Sequence, residues 1–313
     1  MADLTISYLG LNLKSPLVID VTGYNDEFDQ LSELEKSGAG AILLKPLFEE
    51  QITDSDIDTE NNSLSNPDNR ENPKNSYLQY IEQFKKTLTI PVIANIDCMT
   101  IGKWLPFTRK IEDAGADALE LNVFFMPSDK DFLGWDYERE YIDLVSKITS
   151  TLKIPVSVKL NCQFSNMLNI TNQLFYRGVR AISLYNQSFI YDIDVENLEY
   201  LPAPAINQNQ ELYSIIRWTS LISAQFNKID IATSTPIKDS IDIVKLLLSG
   251  ASAIVLSVSP NIETGNNIQN LIIELNQWTD KHCYYSVEDF KGILNYSFIE
   301  DPIKYERSQL LKN

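Results

Sequence analysis

The sequence predicts an α/β protein built as a (β/α)8 barrel of the TIM type, with a parallel eight-stranded core. Two observations carry that prediction. A small-residue turn leading into a short apolar strand recurs four times: SGAGAILLK (37–45), AGADALELN (114–122), RGVRAISLYN (177–186) and SGASAIVLS (249–257). Four more apolar runs alternate with these: SPLVID (15–20), IPVIANI (90–96), IPVSVKL (154–160) and IDIATS (229–234). Nearly continuous apolar strands belong in a parallel sheet covered on both faces.

Each element follows from local chemistry. Amphipathic stretches such as DQLSELEKSG and SIDIVKLLLSG precede the small turns, and glycine closing a helix before a strand is ordinary αβ-loop chemistry. Ile-Pro opens two of the strands, where the missing N–H of proline costs least. ETGNNIQNLIIELNQWTDKH (263–282) supplies the helix after the last strand. Eight βα units over roughly 250 residues match a closed barrel. A doubly wound open sheet fits less well, because the recurrence is even and no GxGxxG opens a helix.

Residues 1–313 are read as a single barrel domain with loop insertions on its C-terminal face. Residues 53–76 are rich in Asn and Asp, cannot bury a core, and are expected to form a flexible polar loop after the second strand. Residues 192–214 form an excursion after the sixth strand. Both leave C-terminal strand ends, where barrel enzymes keep their chemistry. The aromatic tail, 284–313, is expected to pack on the barrel as a helical cap.

Composition narrows the partners. With 26 basic and 43 acidic residues the net charge is −17, which argues against nucleic acid and anionic membranes and leaves a small-molecule substrate. The N-terminal stretch has no basic region before an apolar core, and no apolar run approaches the roughly 20 residues of a membrane span. Cys98, Cys162 and Cys283 are scattered and odd in number, so neither a disulfide framework nor a metal site is expected, and a reducing cytoplasm fits. His282 is the only histidine, which argues against zinc. A homodimer is the assembly considered.

The polar residues at the strand ends form the candidate site: Asp20, Thr22, Lys45, Asn95, Asp97, Asn122, Lys159, Asn161, Asn186, Thr233, Ser234 and Ser257. The period of two places Glu120 and Asn122 on one face of the fourth strand, and Ser157 and Lys159 on one face of the fifth. Two readings of Glu120 and Lys159 stand. They are a buried ion pair that fixes register, or a lysine steadied by a carboxylate so that its ammonium meets a ligand. Asparagine offers a donor and an acceptor together, which suits flat imide heterocycles such as a flavin or a pyrimidine. A lysine near a flavin's N1 would stabilise the reduced ring.

The motifs SPLVIDVTG, GAILLKPLFEEQI, IPVIANI, GADALELN, IPVSVKL and LLLSGASAIVLS occur in that order. As a set they resemble class 1 dihydroorotate dehydrogenases, and the bacterial dihydroorotate dehydrogenase-like proteins most closely. YLGLNLKSPL, ELNVFFMPSD and the tail SVEDFKGIL…DPIKYERSQ extend the likeness over nearly the whole chain. The resemblance implies FMN at the C-terminal strand ends. It places Lys45 and Lys159 against the flavin, and Asn122 and Asn186 beside both flavin and pyrimidine. Thr22, Asn95, Ser234, Thr235 and Ser257 complete the expected cofactor shell. The implied activity is a flavin-dependent dehydrogenase of pyrimidine metabolism, passing a hydride from a CH–CH bond of dihydroorotate or a related dihydropyrimidine to flavin N5, with Lys159 as electrostatic support.

Three departures bear on that expectation. The loop after the fourth strand, where the family carries a cysteine base, reads Phe124-Phe125-Met126. Ser128 follows, and a serine serves in class 2 enzymes, but an N-cap role explains PSD equally well. Cys98 and Cys162 lie just past other strands, where packing explains a free thiol. Without a base, dihydroorotate oxidation is expected to be slow. The phosphate loops read ATSTPIKDS and LSVSP in place of glycines, so Pro236 offers no N–H, Ser257 restricts close approach, and Thr235, Lys238 and Ser259 are left to compensate. Asp20, at the first strand end, would oppose a reduced flavin anion. The alternative is a degenerate barrel without flavin or turnover that acts as a binding protein.

Overall fold

The structure is a computed structural model that describes residues 2–22, 28–53, 73–100, 102, 104–124, 126, 128–161, 164–185, 191–202, 208–257 and 263–311. The chain opens with a hairpin, β1 (Ile6–Tyr8) and β2 (Leu11–Leu13), and then enters β3 (Leu17–Asp20), α1 (Phe28–Lys36) and β4 (Ala41–Leu43). The short β5 (Leu47–Phe48), α2 (Glu49–Thr53) and α3 (Pro73–Thr87) lead to β6 (Val92–Cys98), α4 (Leu105–Asp113) and β7 (Ala118–Val123). Next come α5 (Gly134–Thr151), β8 (Val156–Asn161), α6 (Met167–Tyr176) and β9 (Ala181–Tyr185). A second hairpin, β10 (Tyr191–Asp194) and β11 (Glu199–Pro202), precedes α7 (Gln208–Gln225), β12 (Asp230–Ser234), α8 (Ser240–Ser249), β13 (Ala253–Ser257) and α9 (Glu263–Lys281).

The eight strands β3, β4, β6, β7, β8, β9, β12 and β13 pair in that order, all parallel, and β13 pairs back to β3. This closed barrel with intervening helices is the predicted fold. The recurrent turn has a physical basis: Gly38, Gly115, Gly178 and Gly250 all lie at φ between 90° and 111°, the left-handed conformation that ends a helix and turns the chain into a strand.

Hydrophobic side chains fill the layer between the strands and the helices, where Leu17, Ile19, Ile42, Leu119, Val158, Ile182 and Ile254 are all fully buried. The N-terminal end of the barrel is closed by the first hairpin. Its turn residues, Leu9 and Gly10, both have positive φ, as two-residue hairpins require. The Leu9 N–H donates to Asp230 Oδ2 at 2.8 Å, which fastens the turn to the start of β12. Tyr8 is buried in the barrel floor, where it feels the charge of Glu120.

One defect in the ladder shapes the mouth. Leu43 pairs with Ile93 and Leu47 with Ile96, so four steps along β4–β5 face three along β6, and Lys45-Pro46 bulges out. Asn95, opposite the bulge, takes its backbone partners from a side chain instead. The Tyr77 hydroxyl accepts from Asn95 N at 2.8 Å and donates to Asn95 O at 3.0 Å. Tyr77 is buried on α3.

The segment expected as a loop, 53–76, is helical at its described ends: Thr53 closes α2, and residues 73–76 begin α3 with proline at its first position. The rest of it lies outside the described residues. Two 3-10 turns, Val287–Asp289 and Tyr296–Phe298, and α10 (Pro302–Leu310) make up the tail. Gly292 N and Leu294 N donate to Leu247 O and Leu248 O, Phe290 is fully buried, and Arg217 grips Glu306 through two bonds of 2.6 and 2.8 Å.

Tyr77→Phe removes the only described partner of two buried backbone groups. It is expected to cost about 1–3 kcal/mol, read from urea unfolding midpoints. An unchanged midpoint would show that the bulge is satisfied in another way.

Candidate active site

All eight barrel strands end on one rim, so Lys45 and Lys159, both at C-terminal strand ends, share it. The period of two and the register then set out the inner face. Asn95, Glu120 and Ser157 are direct partners on β6, β7 and β8, and Asp97, Asn122 and Lys159 are partners one level higher. This upper row is the centre of the site. The Asn122 Nδ2 donates to Asp97 Oδ2 at 2.6 Å, which leaves Asn122 Oδ1 buried with no partner among the described residues. Lys159 lies over the Tyr185 ring, its ammonium 5.0 Å from the centroid. Lys45, at the bulge, lies over Tyr80 at 5.2 Å.

Beneath the row sits Glu120, 2% exposed. Ser157 Oγ donates to its Oε2 at 3.5 Å, and Oε1 has no partner among the described residues. Burial pushes this carboxyl upward and the Asp20 charge adds to that, while Lys159 opposes both. Among the described residues no direct salt bridge joins Glu120 to Lys159. The lysine reaches toward Tyr185 and the mouth, and feels Glu120 through space. Of the two sequence readings, the register-fixing ion pair is therefore not formed.

At the junction of β3 and β13, Asp20 gathers three donors: Thr22 N at 2.9 Å, the Thr22 hydroxyl at 2.5 Å and Ser257 Oγ at 3.2 Å. Three residues expected separately thus form one hydrogen-bonded group. At the end of β12, Thr235 Oγ1 is buried without a described partner, and Asn95 Oδ1 on β6 is in the same state. Sequence reasoning missed Asp239. Its Oδ1 accepts from Ile241 N at 2.9 Å and Asp242 N at 3.3 Å, so a carboxylate already occupies the N-terminus of α8. The signal was present as Asp-Ser before an apolar period, an N-cap signature.

The loop after β7 carries no N-cap at Ser128. Helix α5 starts at Gly134 after Leu133, and Ser128 is exposed with its N–H on Met126 O at 2.8 Å. Cys98 is fully buried, on the face of β6 opposite to Asp97, and burial pushes its thiol well up. It packs. Asn186, Cys162, Phe125 and Ser259 lie outside the described residues. A cavity of ≈ 300 Å³ opens beside Lys159, lined chiefly by Tyr137, Tyr141, Asn161, Phe164 and Tyr185. That is near the lower bound for small-molecule sites. Among the described residues no helix is long and apolar enough to cross a membrane, and no His, Cys, Asp and Glu side chains group to hold a metal.

No protein-family model matches the chain. Whole-chain comparison does find relatives. The chain is 25% identical to the catalytic subunit of dihydroorotate dehydrogenase B (NAD(+)) of Thermoplasma acidophilum, over 94% of its own length and 99% of that protein. It is 24% identical to the dihydroorotate dehydrogenase (fumarate) of Lachancea kluyveri over the same shares. Over nearly its whole length the chain is thus similar to proteins that are dihydroorotate dehydrogenases by name. A shorter stretch, 42% of each chain, is 31% identical to a putative dihydroorotate dehydrogenase A (fumarate) of Aeropyrum pernix. Of the lysines and amides expected at the site, Lys45, Asn122 and Lys159 stand on one rim, while the loop after β7 presents Phe124, Met126 and Ser128 to solvent.

The buried Glu120 gives a test of the mouth's electrostatics. Its carboxyl is raised in the folded protein, so its contribution to stability is fully present below the unfolded value near 4.5 and is lost as pH rises through the folded one. Glutamine has no such dependence. The unfolding midpoint of Glu120→Gln, relative to the unmodified protein, is expected to rise as pH increases above the unfolded carboxyl's value near 4.5 in urea titrations. A pH-independent difference would mean that Glu120 titrates normally.

Proposed function

We propose that the chain is a flavin-dependent oxidoreductase of the dihydroorotate dehydrogenase type, acting on dihydroorotate or a related dihydropyrimidine in cytoplasmic pyrimidine metabolism. The observation that carries this reading is the Asp97–Asn122–Lys159 row, with its unpartnered Asn122 Oδ1, beside an aromatic recess of ≈ 300 Å³. Relatedness to dihydroorotate dehydrogenases along nearly the whole chain supports it independently.

The residues fit the ring half of FMN. Buried amide oxygens on Asn95 and Asn122 call for N–H donors, which a flavin or pyrimidine imide supplies. Lys159 and Lys45 bring positive charge to the rim, and Thr22, Ser234, Thr235 and Ser257 border it as further cofactor contacts. Asn122, with Asn186, would hold the substrate. Ser128 stays a candidate acid–base group in the loop. When bound, FMN would supply the acceptor for a hydride. The chain's own residues orient the ring, exclude water with Tyr137, Tyr141 and Phe164, and set the charge at the mouth.

A second reading rests on the phosphate half. Pro236 has no N–H, and the Asp239 carboxylate occupies the helix N-terminus that would otherwise attract phosphate. These features favour a barrel that binds a pyrimidine-like ligand without flavin.

The purified protein is expected to be yellow, with flavin absorbance that survives desalting and is bleached by dithionite. Lys159→Ala is expected to weaken FMN retention at least several-fold, or to shift the flavin's potential downward, because the lysine acts through charge. A colourless protein that takes up no added FMN would replace this function with the second reading.

A further inference from the structure

The loop after β7 offers no strong base, and yet the upper row of the barrel contains a carboxylate. We propose that Asp97, at the end of β6, is the general base that removes the proton from the substrate ring. This rests on the oxidoreductase reading above.

Geometry supports the assignment. Asp97, Asn122 and Lys159 are register partners on three adjacent strands, a row two strand spacings wide, or roughly 10 Å. A six-membered ring held by the amide of Asn122 therefore lies between a carboxylate and an ammonium. Asp97 uses Oδ2 for Asn122 Nδ2 at 2.6 Å, and no described residue bonds its Oδ1. The backbone just past it is fixed. Glu49 accepts from Met99 N at 2.7 Å, from Thr100 N at 2.9 Å and from the Thr100 hydroxyl, while buried Trp104 donates from Nε1 to Thr100 O at 2.9 Å. The other acid–base candidates are badly placed: Ser128 is exposed, and Cys98 points away from the mouth.

The surrounding charges set its strength. Partial burial raises the Asp97 carboxyl and Glu50 adds to that, while the Asn122 bond and Lys159 oppose. The charged groups that act on it are Glu50 from α2 and Lys159 from β8. A carboxylate whose acid is weakened in this way is a better base than an ordinary one.

The step balances. The Asp97 carboxylate takes the proton from a ring carbon beside a carbonyl, and the electrons of that C–H bond become the new C=C bond. FMN, when bound, would accept a hydride from the adjacent carbon, so that the substrate loses two electrons and the cofactor gains them. Asp97, now a carboxylic acid, returns its proton to water.

The test uses the FMN-loaded protein and Asp97→Asn. The variant is expected to keep its flavin spectrum and its reduction by dithionite, and to lose at least ~10²-fold in flavin reduction by dihydroorotate. In the unmodified protein that rate is expected to rise with pH through a midpoint above the ordinary aspartate value of 3.8, a limb that the variant lacks. A readout without turnover is ¹³C NMR of aspartate-labelled protein. The resonance missing from Asp97→Asn should titrate above the ordinary value and should move when orotate is added. Wild-type rates in Asp97→Asn, a resonance indifferent to orotate, or a loss that appears in Ser128→Ala instead would overturn the assignment while leaving the oxidoreductase intact. An FMN-loaded, unmodified protein that no dihydropyrimidine reduces would overturn both.

Discussion

Closure of a parallel barrel forces all eight strands to end on one rim, and the side-chain period of two then decides which residues meet there. Once β13 pairs with β3, the register is fixed all the way round: a shift by one residue would turn every inner side chain into the helix layer. The Asp97–Asn122–Lys159 row is a direct result, because three residues dozens of positions apart share one level only if the ladder holds. The single extra residue at Lys45-Pro46 is tolerated because Tyr77 supplies the two backbone bonds that the bulge removes. A helix side chain thus keeps the rim geometry intact at its weakest pairing.

Charge is the second constraint. Asp20, Asp97 and Glu120 lie on the inner face, with Lys159 as the cation that offsets them from within and Lys45 at the bulge. Burial raises Glu120 and Asp97, whereas Asp20 is satisfied by two hydroxyls and an N–H. The barrel therefore manages its buried carboxyls by hydrogen bonding and through-space attraction rather than by direct ion pairs. Lys159, not locked to Glu120, keeps its ammonium beside Tyr185 at the recess, where a ligand can use it.

The fold was legible because its signal is local and repeated: four glycines at positive φ, each between an amphipathic helix and an apolar run, mark half of the βα units. The rim residues were legible through strand ends and the period of two. Their partnerships were not. That Asn122 turns its amide to Asp97, that Ser257 and Thr22 share Asp20, and that Lys159 leaves Glu120 unbridged all depend on register between strands, which spacing along one strand does not encode. Asp239 was missed because its N-cap role is local to α8, while its consequence, a negative charge where phosphate would sit, appears only in three dimensions. PSD has the composition of a cap at Ser128, but α5 begins farther on, after exposed residues.

Moving a base from a loop to a strand changes what the protein must do to react. A loop residue has to be ordered against substrate, with the conformational entropy lost at that moment. A strand-end carboxylate, with its following turn fixed by Glu49 and Trp104, is ordered by folding itself. The cost falls elsewhere. Such a group cannot swing into solvent, so its strength as a base depends on how much water remains around it. A ring lying across Asn122 would strip the last solvent from Asp97 and raise its carboxyl further, strengthening it as a base, while Lys159 limits the rise so that the ionised form survives. The lysine that would stabilise a reduced flavin is thus the same group that would keep the base charged. Substituting it should disturb both functions at once.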